Sequence, residues 1–144
     1  MTATRDAVAS MTIAANREAV WDALTNPDQI KKYFLGTNVE TTWDVGSRIT
    51  FSGEWQGKQY QDHGEVLDFE PLNRLRISHY SPLGGKPDIP ENYHTVEYRV
   101  EENGIGASKV TITQGNNGSE AEVTESEKTW QLVLENLKEL LEGR

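Results

Sequence analysis

One stretch of this chain constrains the fold of everything else. After Ser119, the residues Val123, Trp130, Leu134, Leu137 and Leu141 recur at steps of seven, four, three and four, which is the spacing of one face of an α-helix. Ser119 followed three positions later by Glu122 makes a capping box at its start. No other segment carries an apolar stripe of comparable length. The remaining apolar positions mostly alternate at period two and read as strands. A sheet built from them has one apolar face to bury, so it is expected to curve around this closing helix.

Along the chain, Asp6 to Ala14 reads as a first strand, with Val8, Ser10 or Met11, and Ile13 as its alternating set. Asn16 then caps a short helix that presents Val20, Ala23 and Leu24 beside Trp21 and stops at Pro27. Asn26 and Pro27 start a second short helix with Ile30, Tyr33 and Phe34 on one face, and Gln29 in a capping-box position. Val39, Ile49, Phe51 and Trp55 follow among Thr, Ser and Gly, with turn signals at Asp44 to Gly46 and at Gly57. Strands are also expected over Lys58 to Phe69 and Arg74 to Tyr80, separated by Pro71-Leu72-Asn73. The segment Ser81 to Asn92 holds three prolines and two glycines, which rules out a central strand or a helix and makes it a candidate lid or entry loop. The clearest hairpin joins Tyr93–Glu101, with Val96, Tyr98 and Val100 inward, to Ser108–Gln114. The order is strand, two short helices, about six further antiparallel strands and one long helix. That is an α+β, helix-grip arrangement of six or seven strands in a single domain spanning residues 1–144.

Charge narrows the function classes. With 14 basic against 23 acidic side chains the formal net charge is −9, which repels nucleic acid and anionic membranes at long range. There are no cysteines, so neither a disulfide framework nor a thiolate metal site is available, and a cytoplasmic setting is the natural expectation. The N-terminus has no leader-like apolar stretch, and no run approaches the roughly 18 apolar residues of a membrane helix.

Several motifs together resemble a known family. Asn16-Arg17-Glu18-Ala19-Val20-Trp21-Asp22-Ala23-Leu24-Thr25-Asn26-Pro27 is similar to the opening signature of the heat-shock-protein ATPase activator-like (AHSA1-like) family, within the START/Bet v (SRPBCC) superfamily. Gly64-Glu65-Val66, Glu70-Pro71 and Arg74-Leu75 resemble its central stretch, and Ser108 to Gln114 its last strand. Trp130-Gln131-Leu132-Val133-Leu134-Glu135-Asn136-Leu137 resembles its terminal helix. The resemblance covers roughly Val8 to Leu141. It implies a helix-grip fold with a cavity, and a superfamily that uses one fold for ligand carriage, cyclisation, stress response and chaperone regulation. Family members often carry Trp where this chain has His79 and His where it has Gln114, which implies a more polar cavity here. The eukaryotic activators also carry an additional N-terminal domain, for which these 144 residues leave no room.

The arrangement places Phe34 of the second short helix, and Phe51, Gly53 and Trp55 of one strand, at the cavity. Val66, Ile77 and His79 follow from the next two strands, then Val96 and Tyr98, and Ile112 and Gln114, from the hairpin. The closing helix adds Trp130, Val133, Leu134 and Leu137. His79 and Gln114 are the expected hydrogen-bonding groups of the wall, while His63 and His94 are expected at the rim. The three histidines match no ligand spacing, so no metal and no cofactor is expected. No nucleophile elbow or phosphate loop is present, and Gly84-Gly85-Lys86 precedes prolines rather than a helix. Asp62 and Glu97 are the carboxylates that acid-base chemistry would use, and both are expected to face solvent. Seven acids against three bases from Glu120 onward read as the solvated side of the closing helix. The sequon Asn117-Gly118-Ser119 is expected to be silent.

The leading expectation is a non-enzymatic module that binds a small hydrophobic or amphipathic ligand, in a stress-response or regulatory role. It would act as a monomer or weak homodimer. The alternatives are a co-chaperone-like module that binds a heat-shock chaperone ATPase through an exposed face, and a cyclase- or hydrolase-type enzyme using the same cavity around His79.

Overall fold

A computed structural model of the chain describes residues 5–82 and 85–143, and of Trp55 only the backbone. The expectations placed on the Trp55 side chain and on Gly84 therefore lie outside the described residues. In chain order the elements are β1 (Ala7–Ile13), α1 (Arg17–Thr25), α2 (Pro27–Tyr33), β2 (Asn38–Glu40), β3 (Arg48–Trp55), β4 (Lys58–Glu70), β5 (Arg74–His79), β6 (His94–Glu102), β7 (Ser108–Gly115) and α3 (Glu120–Glu142). A single 3-10 turn, Pro90–Asn92, interrupts the loop between β5 and β6. The seven strands form one antiparallel sheet in the order β1-β7-β6-β5-β4-β3-β2. Strands β2 to β7 meander, and β1 closes the sheet beside β7. The curved sheet grips α3, which is the helix-grip α+β fold.

Local chemistry explains the element boundaries. The Asn16 side chain accepts the Ala19 N–H at 2.9 Å and starts α1. Asn26 ends α1 through its backbone N–H and starts α2 by accepting the Asp28 N–H, with Pro27 in the first turn where its missing N–H costs nothing. Gln56 and Gly57 both have positive φ, 52° and 81°, so β3 and β4 are joined by a two-residue turn whose twist matches the strands. At Gly64 the backbone of β5 comes so close that a Cβ would lie 1.8 Å from the Ser78 carbonyl oxygen. No other residue fits there.

The core lies between the concave face and α3. Val123, Trp130, Val133, Leu134 and Leu137 of α3 are buried, as are Ile49, Val66, Leu75, Ile77, Val100, Val110 and Ile112 of the sheet. Trp21 of α1 meets the edge of Phe69 at 5.5 Å between ring centroids and ties the short helices to one end of the grip.

Two expectations need correction. In β1 the buried positions are Ala7, Ala9 and Ile13, whereas Val8 is exposed. The alternation is real, but its phase is set by the small alanines, which allow α3 to lie close. The acids of α3 are also more than a solvated face. Glu127 accepts from the Arg5 guanidinium and from the Val8 N–H, both within 3.0 Å, and Glu142 accepts the Ala14 N–H at 2.9 Å. These carboxylates occupy one N–H within β1 and one just past its end, on an edge strand that would otherwise present them for pairing.

Hydrogen bonds from Arg5 and then Val8 hold the Glu127 carboxyl below its ordinary range. A carboxyl depressed in the folded state adds stability above its unfolded pKa, and that stability is lost as pH falls through the folded value. The thermal midpoint is therefore expected to hold down to about pH 5 and to fall below about pH 4.5. Glu127→Gln should make that acid fall shallower in scanning calorimetry, and an unchanged pH profile would contradict the clasp.

Candidate functional site

Between α3 and the concave face, next to the buried core, the two surfaces part to leave a cavity of about 520 Å³. Its apolar wall is Phe34, Phe51, Ile77, Val96, Tyr98 and Trp130. Its polar wall comes from Thr37 and Tyr60, from Asp62 and His79 on β4 and β5, and from Gln114. One stripe of α3 completes it: Glu122, Glu125, Ser126 and Thr129, at helical spacing and adjoining Trp130. Glu125 and Thr129 are exposed, so the cavity opens along the N-terminal half of α3.

Sheet register explains why these side chains meet. Ile77 stands opposite Val96, and Val96 opposite Gln114, forming one row across β5, β6 and β7. Phe51 stands opposite Asp62, and Gly53 opposite Tyr60. Because strand side chains alternate, Tyr60 and Asp62 share the inward face with Val66. The Tyr60 hydroxyl lies 2.8 Å from that of Thr37.

A hydrogen-bonded unit fixes the aromatic wall. The Trp130 Nε1–H donates to Gln114 Oε1 at 2.9 Å, while Gln114 Nε2 donates to Asn117 Oδ1 at 2.8 Å and to Ser126 Oγ at 3.0 Å. The Trp130 ring is met edge-on by Phe34 and Tyr98, with centroids 5.6 and 6.0 Å away. Burial pushes the Tyr98 phenol well up, so it stays protonated. On the opposite wall His79 Nε2 lies 3.0 Å from Asp62 Oδ2, and its ring meets Phe51 at 5.3 Å. Asp62 Oδ1 is buried and has no hydrogen-bond partner among the described residues.

Comparison with known proteins places this architecture. The sequence model of the family described as activator of Hsp90 ATPase homolog 1-like protein (AHSA1) matches residues 14–142. The chain belongs to this family. It is similar to the solution structure of ChR145 from Cytophaga hutchinsonii, at 44% identity and a TM-score of 0.85 over 99% of this chain and 97% of that one. CalU16 from Micromonospora echinospora is 25% identical, with a TM-score of 0.74 over 96% of this chain and 74% of that one. The Aha1 dimer from Colwellia psychrerythraea, 20% identical with a TM-score of 0.73 over 96% and 97%, shares the fold. No curated protein matches the sequence.

Within this AHSA1-like chain, Phe34, Phe51, Ile77, His79, Val96, Tyr98, Gln114 and Trp130 line the cavity. Val66, Ile112, Val133, Leu134 and Leu137 do not. Each is at most 2% exposed and packs into solid core, because α3 lies against the sheet along its C-terminal half. Gly53 is not in the wall either, but a Cβ there would meet the Tyr60 hydroxyl at 2.8 Å. Asp62, expected in solvent, faces inward instead, whereas Glu97 lies on the outer face near Arg99. Gln114 is committed to protein partners and positions Trp130. Thr37, Tyr60, Glu122, Glu125, Ser126 and Thr129 were not expected in the wall. The i, i+3, i+4, i+7 spacing of the last four was visible, but their polarity disguised it as a solvent face.

Each histidine has its own carboxylate: His63 with Asp88, His79 with Asp62 and His94 with Glu122. Among the described residues no three ligating side chains gather as a metal site would require. Burial opposes ionisation of Glu122, but hydrogen bonds from His94 and the Gly118 N–H outweigh it and hold its pKa below the ordinary value. Among the described residues, the Pro/Gly loop lines no part of the main cavity. Its Asp88 accepts from Tyr93 at 2.5 Å and lies 3.0 Å from His63, which ties it beside β4; the hydrogen bond to Asp88 pushes the Tyr93 phenol up to about 12. Lys86, Glu91 and Asn92 of that loop line a smaller adjoining space of about 240 Å³ that meets the cavity at His79 and Glu122. The sequon residue Asn117 is buried, with its amide donating to the Gln114 carbonyl.

Gln114→Leu strands the buried Trp130 and Asn117 groups. It is expected to cost about 2 to 3 kcal/mol in denaturant unfolding and to weaken the near-ultraviolet circular dichroism of the indole. A loss below about 0.5 kcal/mol would show that this unit does not hold the wall.

Proposed function

We propose that this AHSA1-like protein binds a small hydrophobic or amphipathic molecule in the cavity between sheet and α3, without chemical turnover, in a stress-response or regulatory role. The observation that carries this reading is the cavity itself. At about 520 Å³ it has the size of a small-molecule site, with an apolar aromatic wall and a few convergent polar groups. Its aromatic wall is also prearranged, since Trp130 is held by Gln114 and by two ring edges. A prearranged wall lowers the ordering cost of binding.

The Asp62–His79 pair is what a cyclase- or hydrolase-type reading would use as a base. A co-chaperone-like role at a heat-shock ATPase is supported by the family's description, and a pull-down with that ATPase tests it. On this reading the protein works as a monomer or weak homodimer, and the carboxylate-occupied β1 edge favours the monomer.

A ligand that binds only the folded state stabilises it by about 2.7 kcal/mol at a hundredfold excess over Kd. Addition of neutral and charged aromatic or lipid-like compounds is therefore expected to raise the thermal midpoint by several degrees and to shift Trp emission. Gly53→Leu pushes the movable Tyr60 ring into the cavity and should abolish both shifts while the domain stays folded. Flat signals across the whole compound set would overturn this reading.

A further inference from the structure

The charge of the cavity wall carries the argument one step further, to the class of ligand, and this step rests on the cavity reading above. Among the described residues, three carboxylates line the space, Asp62, Glu122 and Glu125, together with the imidazole of His79 and no lysine or arginine. Glu122 is already engaged by His94 and the Gly118 N–H. Lys86 lines the adjoining space rather than this one. Gln114 has no N–H left to donate, because both hydrogens of its amide nitrogen serve Asn117 and Ser126, and its oxygen holds the Trp130 indole.

Asp62 is different. One of its oxygens meets His79, and the other is buried with no partner among the described residues. A buried acceptor without a donor is costly, and an ionised one more so. Directly across the strand pair stands Phe51, whose aromatic ring belongs to the apolar wall. The site thus sets an incompletely paired carboxylate next to aromatic surfaces, with the formal charge of the whole chain at −9. An anionic head group brought here would face like charges. A cationic one would meet the opposite charge of the Asp62 carboxylate and rest against ring faces.

We propose that the ligand is a cationic amphiphile, with an apolar ring-bearing body against Phe51, Tyr98 and Trp130 and a protonated amine on Asp62. Fatty-acid-like anions are the class this cavity rejects.

The test uses three probes that share one apolar body: naphthylmethylamine, naphthylmethanol and naphthoate. They are titrated into the intact protein by calorimetry at about pH 8, above the range over which imidazole side chains gain their charge. The Trp130 indole N–H resonance reports whether the cavity is the place of binding. The amine is expected to bind at least about tenfold more tightly than naphthoate, with the alcohol between them. Asp62→Asn should bring the amine to within about threefold of the alcohol, and Glu125→Gln should narrow the gap less. If naphthoate binds as well as the amine, the charge assignment is overturned while the cavity reading stands. An unchanged gap in a folded Asp62→Asn protein would remove Asp62 from the role, and if that variant does not fold, the wild-type series alone decides the charge preference. Binding by none of the three probes would overturn the cavity reading itself.

Discussion

The contact between the apolar stripe of α3 and the concave face of the sheet is the interaction on which the rest depends. Where the stripe consists of Val133, Leu134 and Leu137, helix and sheet close completely and the domain has its core. One turn earlier, at Trp130, the same helix stands off the sheet, and the space that opens is the cavity. The transition is held by polar chemistry rather than by bulk. Gln114 accepts the indole N–H and spends its own amide on Asn117 and Ser126. A satisfied buried network of that kind specifies one arrangement, whereas an aliphatic contact would permit several. Stability and site are therefore built from successive turns of one element.

Much of the fold was legible because its signals are local. The Asn16, Asn26 and Ser119 caps, the turn at Gln56 and Gly57, and the alternation of Val96, Tyr98 and Val100 all act within a few residues. The phase of β1 was not legible in that way. Val8 is the larger apolar residue, yet Ala7 and Ala9 face inward, since the spacing of helix and strand, a tertiary property, decides which size is wanted. The jobs of Glu127 and Glu142 were hidden for the same reason, because their partners lie more than 100 residues away in the chain.

The cavity was half legible. Alternation along each strand put Phe51, Ile77, Val96 and Tyr98 on the inner face, but it could not say where solid core ends and open space begins. Val66 and Ile112 share that face and are packed shut. The position of Asp62 was within reach, since it lies four residues before Val66 and period two carries it inward. Its charge argued for solvent, and topology overrode the charge by giving it His79 as a neighbour. Places where local preference loses to topology are where functional chemistry concentrates. Gln114 shows the converse, a polar group on the inner face that serves the structure.

The central claim is that the space beside Trp130, and not an exposed surface, is where this AHSA1-like protein does its work. Native mass spectrometry of protein purified from its own host tests it most directly, with extraction and identification of whatever is bound. The account predicts a stoichiometric small molecule on the folded chain, released when Gly53→Leu drives Tyr60 into the cavity. A bare chain mass accompanied by a co-purifying protein would contradict it and move the function to the surface.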